Sequence, residues 1–132
     1  MKKIAVLTWS FHTKEMEEML DETYSVAKEI WLEIIEEVRV PWSMEKPLAL
    51  KRLFEKKEIE WVVVLGIIEN WETQHWLVMG HTVYQALINL QLDYNKPIGL
   101  WILWPGILQN QIESRIRSYS KAAVLALHEM LK

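Results

Sequence analysis

The chain has 132 residues, of which 51% are hydrophobic and 25% are charged, so we expect one folded domain over residues 1–132. A net charge of -3 gives no sign of a surface for nucleic acid or for anionic membranes. The chain has no cysteine, which excludes disulfides, thiolate metal sites and cysteine nucleophiles. Its first apolar run is too short to span a membrane and no cleavage site follows it, which indicates a cytoplasmic protein.

Apolar runs and helical periodicity alternate along the chain. The runs predict four strands, at Ile4–Thr8, Ile34–Val40, Trp61–Ile68 and Pro97–Leu103. Helical spacing predicts helices from Thr13, as N-cap, to Trp31, from Pro47 through PLALKRLFEK, from His75 to about Leu92, and from Ile107 to Lys132. Alternation of this kind produces a parallel sheet with helices on both faces. The sequence therefore predicts an α/β fold, a flavodoxin-like doubly wound three-layer sandwich with a four-stranded parallel sheet.

The loops that follow the strands are the expected ligand site, because such folds bind ligands beyond the carboxyl ends of their strands. His75 begins a predicted helix in one of these loops, and an imidazole titrates near neutral pH, so it is a candidate proton carrier. Thr73 and the free N–H groups of that helix start could hold a phosphate, with Arg115 as its bidentate partner. His12 is more simply a solvated residue near the start of the first predicted helix.

Metal and nucleotide sites have no support in the sequence. No paired-His or carboxylate-cluster spacing typical of a metal site occurs. Neither of the glycine-rich loops that cradle nucleotide phosphates is present. The sequence therefore does not predict a metal site or a nucleotide-phosphate loop.

Four segments together resemble one known family. They are WSFHTKE, VRVPWSMEKPLALKRL, VVVLGIIENWETQHW and KPIGLWILWPGILQNQIESR. In order and spacing they are similar to the lumazine synthases of riboflavin biosynthesis, particularly the archaeal branch, and the likeness covers essentially the whole chain. The resemblance implies a transferase that condenses 5-amino-6-ribitylaminouracil with 3,4-dihydroxy-2-butanone 4-phosphate to 6,7-dimethyl-8-ribityllumazine, phosphate and water. It also implies that this reaction needs no cofactor and no metal.

The resemblance also implies an assembly and a set of site residues. The assembly is a homo-oligomer, either a pentamer with sites between adjacent subunits or a 60-subunit icosahedral shell. Phe11 would stack on the pyrimidine ring, while Ser43 and Glu45 would contact the same substrate. The remaining implied roles are phosphate binding by Glu72, Thr73 and Arg115, with Lys121 as a weaker second cation, and proton transfer by His75.

Tryptophan stands at several positions where the family has smaller residues. Trp42 and Trp71 replace binding-loop glycines, Trp101 replaces a strand glycine, Trp104 replaces a small residue, and His12 replaces an asparagine. A glycine permits positive φ and close approach of a ligand, and tryptophan forfeits both. Trp31 and Trp61, by contrast, are expected in the core or at a subunit contact.

Three hypotheses follow. The first is an active lumazine synthase whose pocket is rich in aromatic residues, with Trp42 and Trp71 beside the substrate. The second is a non-catalytic or engineered member that keeps the fold and the shell assembly, with tryptophan filling the pocket or binding a flat aromatic ligand. The third is the related archaeal riboflavin synthase, which the ETQH pattern fits less well.

Overall fold

The structure is a computed structural model that describes residues 1–10, 12–69, 73–107 and 109–130, with the backbone alone described at residues 69, 101–107, 109, 110, 113, 117 and 127. Strands and helices alternate as the sequence predicts. They are β1 (Lys2–Trp9), α1 (Thr13–Glu29), β2 (Leu32–Val40), α2 (Lys46–Phe54), β3 (Trp61–Glu69), α3 (His75–Tyr94), β4 (Ile98–Ile107), α4 (Gln109–Ile112) and α5 (Ile116–Glu129). Short 3-10 turns occupy Ser43–Glu45 and Glu113–Arg115.

The four strands form one parallel sheet in the order β2-β1-β3-β4. Helices α1 and α5 pack together against the sheet, and α2 and α3 pack together against it as the other layer. This arrangement confirms the predicted doubly wound three-layer α/β fold. From β1 the strand order runs outward to β2 on one side and to β3 and β4 on the other. A crevice is therefore expected where β1 and β3 end.

The core lies around the two central strands. Residues Ile4–Leu7 of β1 and Val62–Leu65 of β3 have no solvent exposure, as expected for parallel strands that are covered on both faces. Each side chain of this kind contributes roughly 1.5–3 kcal/mol when it is fully buried. Trp61 is buried in the same core, as predicted.

Strand β4 is longer than predicted. The Pro105-Gly106 pair suggests a loop after Leu103, but β4 continues to Ile107. Because β4 is an edge strand, a proline within it need not remove a ladder hydrogen bond. Ile67 pairs with Leu103 and Glu69 pairs with Ile107, so β4 bulges over this interval.

Both ends of α1 differ from the prediction. The N-cap is His12, in the left-handed region with φ 53, while the Thr13 hydroxyl donates to the Ser10 carbonyl at 3.1 Å. The helix ends at Glu29, and Trp31 follows with φ 63 and a side chain that is 73% exposed. Trp31 is therefore not in the core of this chain, and its predicted alternative, a subunit contact, stays a prediction.

The predicted last helix is divided. α4 and α5 are separated by the 3-10 turn Glu113–Arg115, which places Arg115 before α5 rather than two turns inside one long helix. Within the described ranges, no helix has the length and apolar character needed to cross a membrane.

Candidate functional site

A cavity of ≈ 570 Å³ lies where β1 and β3 end. Trp9 is the last residue of β1, and Ile67 and Ile68 come just before the end of β3. The residues that line the cavity are Trp9, Trp42, Ser43, Met44, Glu45, Ile67, Ile68, Thr73, His75, Trp76 and Met79. Apolar and aromatic walls thus surround a few polar groups, which is the usual composition of a small-molecule site.

The segment 42–45 forms one wall without backbone strain. Trp42 has φ -141 and ψ 174, an extended conformation that any residue can adopt, so the loss of the family's glycine is not costly here. The Trp42 backbone N–H donates to Glu45 Oε2 at 3.0 Å, which fixes the carboxylate at the start of the 3-10 turn. The Trp42 side chain is 54% exposed and lies at the cavity wall.

Ser43 brings a hydroxyl to the cavity. Its side chain is 3% exposed, and within the described ranges its Oγ has no hydrogen-bond partner. A buried hydroxyl left without a partner costs about 1–3 kcal/mol. A ligand in the cavity is one group that could relieve this cost.

The start of α3 supplies the opposite wall. The Thr73 hydroxyl accepts a hydrogen bond from the His75 N–H at 3.3 Å, and both side chains are exposed at the cavity. α3 runs for 20 residues from His75, so the positive end of its dipole lies at this wall. The sequence placed His75 and Thr73 at this edge, and the structure brings them together with Ser43 and Glu45. The arrangement can hold an anion next to a proton carrier.

Arg115 and Lys121 do not line this cavity within one chain. Arg115 is half-buried, and its Nη1 donates to the Gln111 carbonyl at 2.9 Å and to Ser114 Oγ at 3.4 Å. Lys121 is exposed on α5. The two predicted phosphate-binding cations therefore do not line the cavity that Thr73 and His75 of the same chain line.

Several predicted site residues lie outside the described residues. Phe11, Trp71 and Glu72 belong to this group, and so do the side chains of Trp101 and Trp104. Among the residues that are described, no group of three His, Cys, Asp or Glu could hold a metal ion.

Lys46 is an addition that sequence reasoning missed. Its side chain is fully buried, and its Nζ lies over the Trp9 ring, 4.8 Å from the centroid. Within the described part of the chain, this Nζ has no hydrogen-bond partner. Burial lowers the pKa of the Lys46 amine to about 7. A lysine between Glu45 and Pro47 carries no sequence signal for burial.

Aromatic and apolar neighbours complete the site. The His12 ring is 6.0 Å from the Trp9 ring and tilted by 40°, and the residue is half-buried, so its description as a solvated residue is wrong. Trp76 and Met79 lie one turn apart along α3 and face the cavity. The i, i+4 spacing from His75 to Met79 and the i, i+3 spacing from Trp76 to Met79 were the signals that could have identified them.

The chain is similar to one family over its whole length. Residues 1–132 match the family 6,7-dimethyl-8-ribityllumazine synthase. The 6,7-dimethyl-8-ribityllumazine synthase of Metallosphaera sedula is 34% identical over 130 residues, which are 98% of this chain and 86% of that protein. The proteins of the same name from Picrophilus torridus and Staphylothermus marinus are 33% and 30% identical, over 100% and 99% of this chain and 96% and 87% of their own lengths.

Proposed function

Because this chain belongs to the 6,7-dimethyl-8-ribityllumazine synthase family, we propose that it catalyses the riboflavin-biosynthetic condensation of 5-amino-6-ribitylaminouracil with 3,4-dihydroxy-2-butanone 4-phosphate. The observation that carries the proposal is the cavity of ≈ 570 Å³, which falls within the usual range of small-molecule sites, about 300–1,000 Å³. Among the tryptophans whose side chains are described, Trp9, Trp42 and Trp76 line this space without filling it. Together with the family match, this favours the catalytic hypothesis over a pocket filled by tryptophan.

The pyrimidine substrate fits the aromatic part of the cavity. We assign its flat ring to the indoles of Trp9, Trp42 and Trp76, with Phe11 as a further stacking group. Ser43 can donate its unpaired hydroxyl hydrogen to the substrate, and the Glu45 carboxylate can accept hydrogen bonds from ribityl hydroxyls.

The phosphate of the second substrate fits the start of α3. The helix dipole and the N–H groups there favour an anion, and Thr73 adds a hydroxyl. Glu72 and Trp71 remain predicted neighbours of the substrate phosphate. We assign the role of the cation that pairs with this phosphate to Arg115 of an adjacent subunit, because Arg115 of the same chain does not line the cavity.

The chemistry requires proton movement and close placement of two substrates. The uracil 5-amino group attacks the ketone carbonyl, and water leaves as the Schiff base forms. Phosphate is then eliminated, and the ribitylamino nitrogen attacks the remaining ketone carbonyl. Loss of a second water closes the ring and yields the lumazine. His75 lies at the phosphate end of the cavity and can accept and return protons in these steps. Most of the acceleration is expected from holding both substrates together.

We further propose a pentamer, alone or within a 60-subunit shell. Apolar side chains support it, because Trp42 and Met44 at the cavity and Leu48 beside them are 54%, 65% and 53% exposed. An adjacent subunit could cover this surface and contribute Arg115 to the same site. The cytoplasmic location remains a prediction.

The test is a direct assay. The purified protein is mixed with both substrates, and lumazine formation is followed by absorbance or fluorescence against the protein-free reaction. We expect product to form well above the uncatalysed rate. A rate equal to the protein-free control would overturn the proposed function.

A further inference from the structure

The amine of Lys46 lies behind the aromatic wall of the cavity. Its Nζ is over the Trp9 ring at 4.8 Å from the centroid, and the side chain has no exposed surface. Trp9 lines the cavity, whereas Lys46 does not. The indole therefore lies between a buried amine and the space where a ligand would bind.

A cation on one side of an aromatic ring changes what the ring attracts. The ammonium group draws π-electron density towards itself, so the remainder of the indole becomes less negative. Its own field also reaches across the ring, since both Lys46 and Trp9 are buried and a buried charge is only weakly screened. Both effects favour a negatively charged flat ring against Trp9 over a neutral ring of the same shape.

Other titratable groups near this wall do not supply the same preference. Glu45 lines the cavity and repels an anion, while His75 lies with Thr73 at the start of α3. The His12 ring lies 6.0 Å from the Trp9 ring. Among the described residues, Lys46 thus supplies the cation that lies directly over the Trp9 ring.

We propose that Lys46 determines ligand specificity through Trp9, by making the cavity prefer an anionic pyrimidinedione over its neutral counterpart. Lys46 acts as a positioning residue, because it reaches the ligand only by way of the indole. The inference rests on the proposed function for the class of ring, although ring binding can be measured without turnover.

Two isosteric probes test the preference. Orotate carries a carboxylate on a pyrimidinedione ring, and orotamide carries a neutral amide at the same position. Dissociation constants are measured for both by calorimetry at about pH 6, below the Lys46 pKa of about 7, so that the amine holds its proton. We expect Lys46→Met to lower the orotate-over-orotamide preference about tenfold.

Matched variants separate charge from structure. Lys46→Arg keeps a cation and should retain the wild-type preference, and Lys51→Met changes an exposed lysine of the same helix and should also retain it. Lys46→Gln is a second neutral variant if Lys46→Met does not fold. Trp9→Leu should remove the preference, and adding Lys46→Met to it should have no further effect.

An unchanged preference in folded Lys46→Met or Lys46→Gln would overturn the inference, as would additive effects of Trp9→Leu and Lys46→Met. The outcome is independent of the turnover assay. Product formation with an unchanged preference refutes the inference alone. A Lys46-dependent preference without product formation refutes the proposed function alone.

Discussion

The Lys46 side chain is completely buried, and its charge sets a pH dependence of stability. Burial lowers the pKa of the amine from 10.5 to about 7, so the unfolded chain binds the proton more tightly between these two values. The free energy of unfolding therefore rises as the pH increases from about 7 towards 10.5. Below this range the amine is protonated in both states, and burying its charge costs the folded state on the order of 5 kcal/mol.

Replacing Lys46 with methionine should remove this dependence. We expect Lys46→Met to be more stable than the wild type by a few kcal/mol at about pH 6, with a difference that shrinks towards about pH 10. Urea unfolding across this pH range measures the effect, with Lys51→Met as the exposed control. A difference that stays constant with pH would contradict the assignment.

His75 is the residue on which proton transfer is proposed to depend. His75→Ala should lower kcat roughly 10²-fold, the lower part of the usual range for general acid–base catalysis. His81→Ala is the matched control, because His81 is exposed on the same helix and does not line the cavity. Steady-state kinetics with both substrates measure the change, and equal rates in the two variants would refute the role of His75.

The sequence predicted some site residues and not others, for a physical reason. The positions of His75 and Thr73 could be predicted because a helix start after a buried strand has a defined place in a doubly wound sheet. The contact between Lys46 and Trp9 could not be predicted, because it depends on the packing of α2 against β1. No local pattern encodes that packing. The roles assigned to Phe11, Trp71 and Glu72 stay predictions.

At the scale of elements, the turn between α2 and β3 is held by one ammonium group. Lys96 Nζ donates to the carbonyls of Phe54, Lys56 and Ile59 at 2.6, 3.1 and 2.9 Å. Cations stabilise helix C-termini, and the Lys96 ammonium group lies at the C-terminus of α2. Because Lys96 comes just before β4, the same hydrogen bonds also link this turn to the start of β4. The turn that leads into the central strand β3 is thus tied to the start of β4.

Loss of this contact should destabilise the fold. We expect Lys96→Met to lower the free energy of unfolding by about 2 kcal/mol, because three carbonyls lose a charged donor. Lys57→Met, in the same turn and exposed, should change it by less than about 0.5 kcal/mol. Urea denaturation gives both values, and similar midpoints for the two variants would count against the Lys96 role.

Element boundaries were predictable where hydrophobic runs are continuous. β1 and β3 are central and buried, so their runs mark them clearly. The end of β4 was missed because Pro105-Gly106 is typical of a turn, while an edge strand tolerates both residues. The N-cap of α1 was missed because His12 takes a left-handed conformation that histidine adopts less often than glycine or asparagine.

At the scale of the whole molecule, the proposed site is completed by assembly. Light scattering should give the mass of a pentamer or of a larger multiple, because the proposed site takes Arg115 from an adjacent subunit. Concentration series with the wild type provide the measurement. A monomer at all concentrations, together with full activity, would refute the shared site.

Mixed assemblies test the sharing more directly. His75→Ala and Arg115→Ala should each be strongly impaired, since each removes one side of every site. When the two variants are co-expressed and assemble at random, about a quarter of the sites should receive both native residues. Activity should therefore recover in part. No recovery would mean that His75 and Arg115 act within the same chain.

The fold class was predictable at this scale because alternating strands and helices permit few topologies. The oligomeric state was not, because an exposed apolar side chain such as Trp31 or Leu48 has the same sequence pattern whether or not a partner covers it.

The bulge in β4 also bears on how copies of this chain meet. A sheet edge with a straight row of free N–H and C=O groups is a template for aggregation. The pairing of β4 with β3 leaves regular register after Leu103, and Pro105 has no backbone N–H to donate to a strand of another chain. Strand-to-strand addition is therefore discouraged along the outer end of this edge. In the proposed pentamer, subunits would therefore meet through side-chain surfaces rather than along this strand edge, which favours closed assemblies over fibrils.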